Sequence, residues 1–258
     1  MSISRFTTNS PVFFEPQENT PMVKYIDLAK FISILKNKSL FFCRIDKLED
    51  KFEGTLPLDT HKHIVAESKY LRDVRKFFTR HISDEELENS ATDQLNWQSK
   101  LRSITCVNCW NEFKGESYAL WKIYAGMDQG IMIKTDFSKL IQAFRNCNQK
   151  IFCSRVKYID YQKDYMDFGN TMIPFVHKHR AYTYENEIRL IHEVTHNQWK
   201  YDWDSEEYNS GIMIPIDINF LIDNIYINPF APQWFKPLIE DLIKKYFLNC
   251  QVSDSILR

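Results

Sequence analysis

Apolar and polar residues alternate with a period near two along Tyr182–His192, the pattern of an extended segment. In a strand this alternation puts Glu185, Glu187 and Arg189 on one face and Tyr184, Ile188 and Leu190 on the other. Upstream, Met22–Ile26 reads as a short strand. Asp27 is placed to cap a helix whose apolar positions Leu28, Phe31, Ile32 and Leu35 follow helical spacing. Leu40–Ile45 is a second strand with Arg44 as its only charge, and residues 46–54 form a polar loop. Residues 59–102 are charged and helical in pattern, with a start at Asp84 and Glu85, Glu86 and Glu88 favouring that N-terminus. A strand over 103–110, a helix over 117–124, a strand over 131–134, a helix over 137–146 capped by Asp136 and a strand over 153–161 follow. Residues 174–181 read as helical, and 197–210 as a loop or irregular hairpin. The strand over 211–216 contains Pro215, which suits an edge or a bulge. Helix 218–223, strand 224–229, helix 232–247 and strand 250–253 complete the chain and suggest a crossover packed on the sheet. The expected organisation is one α+β domain over 1–258, with an N-terminal arm (1–21), a helical insertion (59–102) and a C-terminal strand–helix–strand part (211–258).

Composition narrows the classes. A chain of 258 residues, 44% hydrophobic and 26% charged, can bury a sizeable core. Only six glycines occur, and no glycine-rich phosphate loop is visible. The net charge of −1 gives no global pull toward nucleic acid or membrane, so any basic site is local, with Lys178–Arg180 the best candidate. The N-terminus lacks an apolar stretch of signal-peptide length and no run is long enough to span a membrane, so the expected location is the cytoplasm. The six cysteines then read as reduced thiols.

Four features carry candidate chemistry. Cys106-x-x-Cys109 has no second cysteine pair at zinc-site spacing, and His61-Lys62-His63 has no further ligands, so both read as structural and no metal is expected. Tyr118, Trp121 and Tyr124 recur every three residues on one helix face, either as core or as a stacking wall for a planar ligand. The charged face around Glu187 is either a solvated face with a weak Glu187–Arg189 pair or the floor of a cleft holding paired carboxylates.

Taken in order, further fragments carry a family resemblance. They are Val23-Lys24-Tyr25, Phe42-x-Arg44-x-Asp46-x-x-x-Asp50-x-Phe52-Glu53-Gly54, Cys109-Trp110, Leu120-Trp121-Lys122-x-Tyr124, Gln129-Gly130-Ile131, Val156-x-Tyr158, Lys178-x-x-x-Tyr182-x-Tyr184-Glu185-x-Glu187-x-Arg189 and Asn228-Pro229. Over residues 22–257 the chain resembles a large bacterial family of unknown function, some of whose members occur in anti-phage defence neighbourhoods. Lys51 departs from the family's Asp-Pro-Phe-Glu pattern. More distantly, the strand–helix–strand start over residues 23–40 and the strand-borne Glu185-x-Glu187 are similar to ADP-ribosyltransferase folds of the DNA-modifying and tRNA phosphotransferase type. Lys24 stands where those enzymes usually have His or Arg.

That resemblance implies a mixed central sheet of ADP-ribosyltransferase-like type, NAD as the consumed cofactor, and either ADP-ribosyl transfer or NAD hydrolysis in a toxin-like effector. Glu187 would stabilise an oxocarbenium-like transition state, and Glu185 would orient the acceptor or act as base. Arg44 and Arg189 would hold the pyrophosphate, Lys24 a ribose or carboxamide oxygen, and Tyr25 or Tyr124 would stack on nicotinamide. Glu53, Trp121, Lys178 and Arg180 are the candidate substrate contacts. The acceptor is a nucleic acid or a protein, and an antitoxin-like partner is compatible with such an effector. A second class is a nucleic-acid sensor in which Lys178, Arg180, Arg189 and Arg44 contact phosphates and Trp121 and Tyr124 stack on bases. A third is a nuclease with Mg²⁺ on Asp50, Glu53, Glu185 and Glu187.

Overall fold

The computed structural model describes residues 13–75, 84–126, 128–167, 169–196, 200–201 and 210–258. Strand β1 (Pro21–Asp27) leads into helix α1 (Leu28–Asn37), followed by β2 (Ser39–Arg44). The start of α1 is set locally: Asp27 accepts from the Lys30 backbone N–H at 2.7 Å, satisfying one of the orphan donors of the first turn. Next come α2 (Leu58–Arg75), α3 (Asp84–Ile104), β3 (Thr105–Glu112), α4 (Tyr118–Tyr124), β4 (Gly130–Asp136) and α5 (Phe137–Ala143). Four strands follow, β5 (Phe152–Arg155), β6 (Lys157–Ile159), β7 (His177–His179) and β8 (Glu187–Glu193). The chain continues with β9 (Thr195–His196), β10 (Lys200–Tyr201), β11 (Gly211–Pro215), α6 (Ile218–Leu221), β12 (Asn224–Ile227), α7 (Phe235–Lys245) and β13 (Gln251–Asp254).

Nine of these strands form a mixed sheet in the order β11-β2-β3-β1-β4-β12-β13, with β8 on β3 and β5 beyond it. β12 and β13 pair in parallel, as a strand–helix–strand crossover through α7 requires, while the other pairs of this sheet are antiparallel. Pro215 lies on β11, at one end of this order, where a missing N–H costs least. The strand that positions everything else is β3. Along one side it pairs continuously with β8, from Thr105↔Glu193 to Asn111↔Glu187. Along the other it pairs with β2 at Cys43↔Val107 and Arg44↔Cys106, and then with β1 at Met22↔Glu112 and Val23↔Asn111. Between those pairings the sheet splits, and Asn108 and Cys109 face the opening.

Strand alternation distributes the core. Met22 and Ile26 of β1 with Ile188 and Leu190 of β8 enter the main cluster beside Phe31, Leu35, Leu140 and Phe235 of the covering helices. Val23 and Tyr25 turn instead to Leu120 and Trp121 of α4. Ile191 joins Leu101 and Ile104 of α3 and Phe175 in a further cluster.

Several sequence expectations are corrected. α3 runs through Ile104, so the strand expected over 103–110 starts at Thr105. The strand expected over 153–161 divides, β5 joining β8 and β6 pairing in parallel with β7. Residues 174–181 are not an α-helix: a 3₁₀ turn over Ile173–Val176 gives way to β7. The continuous extended segment over 182–192 is interrupted by a 3₁₀ turn over Arg180–Glu185 and by Asn186 in the left-handed region (φ 44°), and β8 begins only at Glu187. The hairpin reading of 197–210 falls largely outside the described residues.

Candidate functional site

The split in the sheet opens into a cavity of 550 Å³ lined by residues from β1, α1, β2, the 48–53 loop, β3, α4, β7 and the 182–187 segment. At its floor lies a buried charge cluster. Glu187 and Arg189, two residues apart on β8, share a face, and Arg189 Nε donates to Glu187 Oε1 at 2.7 Å. Arg189 is fully buried and forks onto Glu53, with Nη1 2.8 Å from Oε2 and Nη2 3.1 Å from Oε1, while Nη1 also donates to the Phe175 carbonyl at 2.9 Å. Lys178 of β7 sets its ammonium among three carboxylates: 2.6 Å from Glu185, 3.0 Å from Glu187 and 3.3 Å from Glu53. Tyr124, at the end of α4, donates to the other oxygen of Glu185 at 2.6 Å.

Local rules bring these groups in. Asp50 accepts from Phe52 N at 2.9 Å, and Glu53 N donates to the Asp50 carbonyl. This Asx turn aims Glu53 inward. Gly54 completes it at φ 71°, and a Cβ there would stand 2.8 Å from the Phe175 ring. Ser117 caps α4 by accepting from Leu120 N at 3.3 Å, and its own N–H donates to Tyr25 Oη at 3.1 Å, so β1 fixes the start of the helix that delivers Tyr124. Tyr158 Oη accepts from Glu187 N at 2.8 Å where β8 begins.

The electrostatics follow from this arrangement. Burial alone would raise the pKa of Glu187, but Arg189 and Lys178 outweigh it and hold the carboxyl well below the usual range. Burial would likewise lower Lys178, and the carboxylates of Glu187 and Glu53 reverse that and hold it above its ordinary value. Glu185 is raised by burial, which the Lys178 ammonium only partly offsets. The cluster sets the carboxyl groups of Glu53, Glu185 and Glu187 against Lys178 and Arg189, with Lys24 facing Glu187 from β1. Lys24, reaching into the split, donates to the Cys109 carbonyl at 2.5 Å and lies 3.4 Å from Asn108 Oδ1.

Of the sequence candidates, Glu187, Glu185, Glu53, Lys178, Lys24, Tyr25 and Tyr124 line one cavity. Glu185 reaches Glu187's neighbourhood through the Asn186 turn rather than along a strand face. Four others do not line the cavity. Arg189 is enclosed by Glu187, Glu53 and Phe175 and has no edge left for a pyrophosphate. Arg44 pairs with Asp46 at 2.8 Å. Trp121 is buried edge-on against Tyr25 and donates to Glu116, so the three-residue aromatic stripe is not one stacking wall. Arg180 is exposed and pairs with Asp160 at 3.0 Å, so Lys178, Arg180, Arg189 and Arg44 do not make one basic patch. The place among Glu53, Glu185 and Glu187 that a cation would take is held by the Lys178 ammonium, and among the described residues no group of His, Cys, Asp or Glu has metal-site geometry. Cys106 packs in the main core while Cys109 lines the cavity, so the Cys-x-x-Cys does not converge. Sequence reasoning missed Asn108, Cys109 and Tyr158 as site residues; the Cys109-Trp110 and Val156-x-Tyr158 fragments hinted at two of them, and nothing pointed to Asn108.

Residues 120–190, from α4 into β8, match the model of a family described as a protein of unknown function (DUF2971). The match agrees with the resemblance carried by the motifs, and it takes in Tyr124, Lys178, Glu185, Glu187 and Arg189. No curated protein matches the chain. Among solved structures it is similar to DarT of Thermus sp. 2.9 in complex with NAD+, at 9% identity over 93% of this chain and 97% of that one, with a TM-score of 0.41. It is also similar to the same protein in complex with carba-NAD+, at 8% identity over 94% and 98% of the two chains, with a TM-score of 0.36. Among the described residues no helix is long and apolar enough to cross a membrane.

Proposed function

We propose that the chain consumes NAD, cleaving the bond between ribose and nicotinamide and passing the ADP-ribosyl group to a nucleic acid, a protein or water. The observation that carries this reading is the buried Glu187, held ionised by Arg189 and Lys178 at the floor of a split-sheet cavity. The residues fit such a substrate: 550 Å³ lies within the range of small-molecule sites, and the ionised Glu187 suits a pyridinium and the positive charge that develops on the sugar. NAD supplies the glycosidic bond and its leaving group. Glu187 is preorganised by Arg189 and Lys178, so its negative charge needs no reorientation as the sugar becomes cationic. Tyr124 orients Glu185 toward the same space. Lys30 of α1, an exposed cavity-lining cation that pairs with Asp27, is positioned for the phosphates. A cytoplasmic, toxin-like role in anti-phage defence, restrained by an antitoxin-like partner, belongs to the same proposal.

The test is release of nicotinamide from NAD by the purified protein, with mass spectrometry of added DNA, RNA and protein for ADP-ribose. Glu187→Gln is expected to lower release about 10²–10³-fold, the size of removing one preorganised electrostatic group. Circular dichroism would show that the variant is folded. If the wild type releases no nicotinamide while growth inhibition on expression still depends on Glu187, the reading is wrong.

A further inference from the structure

We infer that Lys24 is the proton acceptor for the attacking nucleophile, an assignment that rests on the function proposed above. Where the sheet splits, the Cys109 carbonyl lacks a strand partner on that side and is met instead by Lys24 Nζ at 2.5 Å, with Asn108 Oδ1 at 3.4 Å. These two neutral acceptors take two of the three positions around Nζ, and the third is left for the cavity that Lys24 lines. Among the described residues no carboxylate lies within ion-pair distance of Nζ, in contrast to Lys178, which has three. The charged and titratable groups facing Lys24 are the Cys109 thiol of β3, Glu187 of β8 and Lys30 of α1, and the Trp110 ring lies 5.6 Å from Nζ. Burial lowers the ammonium's pKa from 10.5 to about 8, with only partial compensation from Cys109 and Glu187. A base is most useful when its pKa is near the working pH.

The other candidates are less suited. Glu187 is held ionised by two cations and binds a proton too weakly. Glu185 has one oxygen on Tyr124 and the other on Lys178, so a proton arriving there must displace one of them.

The step balances. The nucleophile's oxygen, from water or an acceptor hydroxyl, forms its bond to the anomeric carbon of the ribose. The bond from that carbon to the pyridinium nitrogen breaks, and its electron pair leaves with neutral nicotinamide. The nucleophile's proton passes to Nζ of Lys24, and the resulting ammonium returns it to solvent.

Two measurements test this. The first uses the ligand-free wild type. Trace labelling with acetic anhydride across pH, read by peptide mass spectrometry, is expected to give Lys24 a midpoint near about 8, well below the exposed lysines. A midpoint shared with those lysines, or no labelling at any pH, overturns the assignment. The second is nicotinamide release as a function of pH. Lys24→Met is expected to lose about 10²–10³-fold and the wild type's rise through about 8, with partial recovery on adding methylamine, whereas Lys24→Arg is inactive. Wild-type-like release by Lys24→Met, or a loss that no added amine restores, overturns the assignment alone. No release by the wild type at any pH overturns the proposed function and this role with it.

Discussion

Lys178 and Arg189 show how buried charge is tolerated here. Each is enclosed, and each is surrounded by carboxylates that would themselves be too costly to bury alone. Removing one cation therefore exposes the others' cost: Lys178→Met is expected to destabilise the protein by about 3–5 kcal/mol in urea unfolding, far more than loss of a surface pair. Lys24 behaves in the opposite sense. Between about 8 and 10.5 its folded form holds fewer protons than the unfolded chain, so its contribution to stability rises with pH across that window. Urea unfolding at a series of pH values should show the stability difference between wild type and Lys24→Met moving in the wild type's favour by about 2–3 kcal/mol between those limits. At this scale the residue types of the site were legible in sequence, but not all their roles. Arg189 reads locally as a phosphate binder because its partner Glu53 lies 136 positions away. A strand pattern says which face a side chain takes and nothing about what meets it there.

Elements with local start signals were the legible ones. Asp27 and Asp136 both cap the helices expected of them, since a cap is settled within three residues. The segment from Ile173 to Glu185 was not legible, because its short strand is held by partners outside it: β6 alongside β7, and Glu53 of the loop after β2 on Lys178. One local sign was available. Asn186, between two glutamates, is among the few non-glycine residues that adopt the left-handed conformation readily, and it does so at φ 44° and ψ 52°. Its carbonyl accepts from Glu112 N at 2.8 Å, tying the turn to β3. Asn186→Ala is expected to cost about 1–2 kcal/mol in denaturant unfolding, whereas Asn186→Gly should be close to neutral. Equal losses for the two would mean that the side chain, through its bond from Lys114, matters more than the backbone conformation.

Across the whole molecule, β3 joins the parts. β8 occupies one side of it, β1 and β2 share the other, and the cavity opens where those two part. That the chain ends in a strand–helix–strand crossover could be read from the order of elements, and the mixed sheet was implied by the family resemblance; that the sheet splits could not be read, because pairing between β3 and two strands encoded at least 60 positions earlier leaves no periodic trace. The buried cluster draws Glu53 from the loop after β2, Tyr124 from α4, Lys178 from β7 and Glu185 and Glu187 from the segment that closes onto β3. During synthesis these pieces leave the ribosome in that order, well apart in time. A chain interrupted before β8 contains Lys24, Glu53, Tyr124, Lys178 and Glu185 but lacks Glu187, Arg189 and the strand that pairs along β3. On the function proposed above, the carboxylate that meets the sugar arrives only with β8, so a chain released before that strand lacks it.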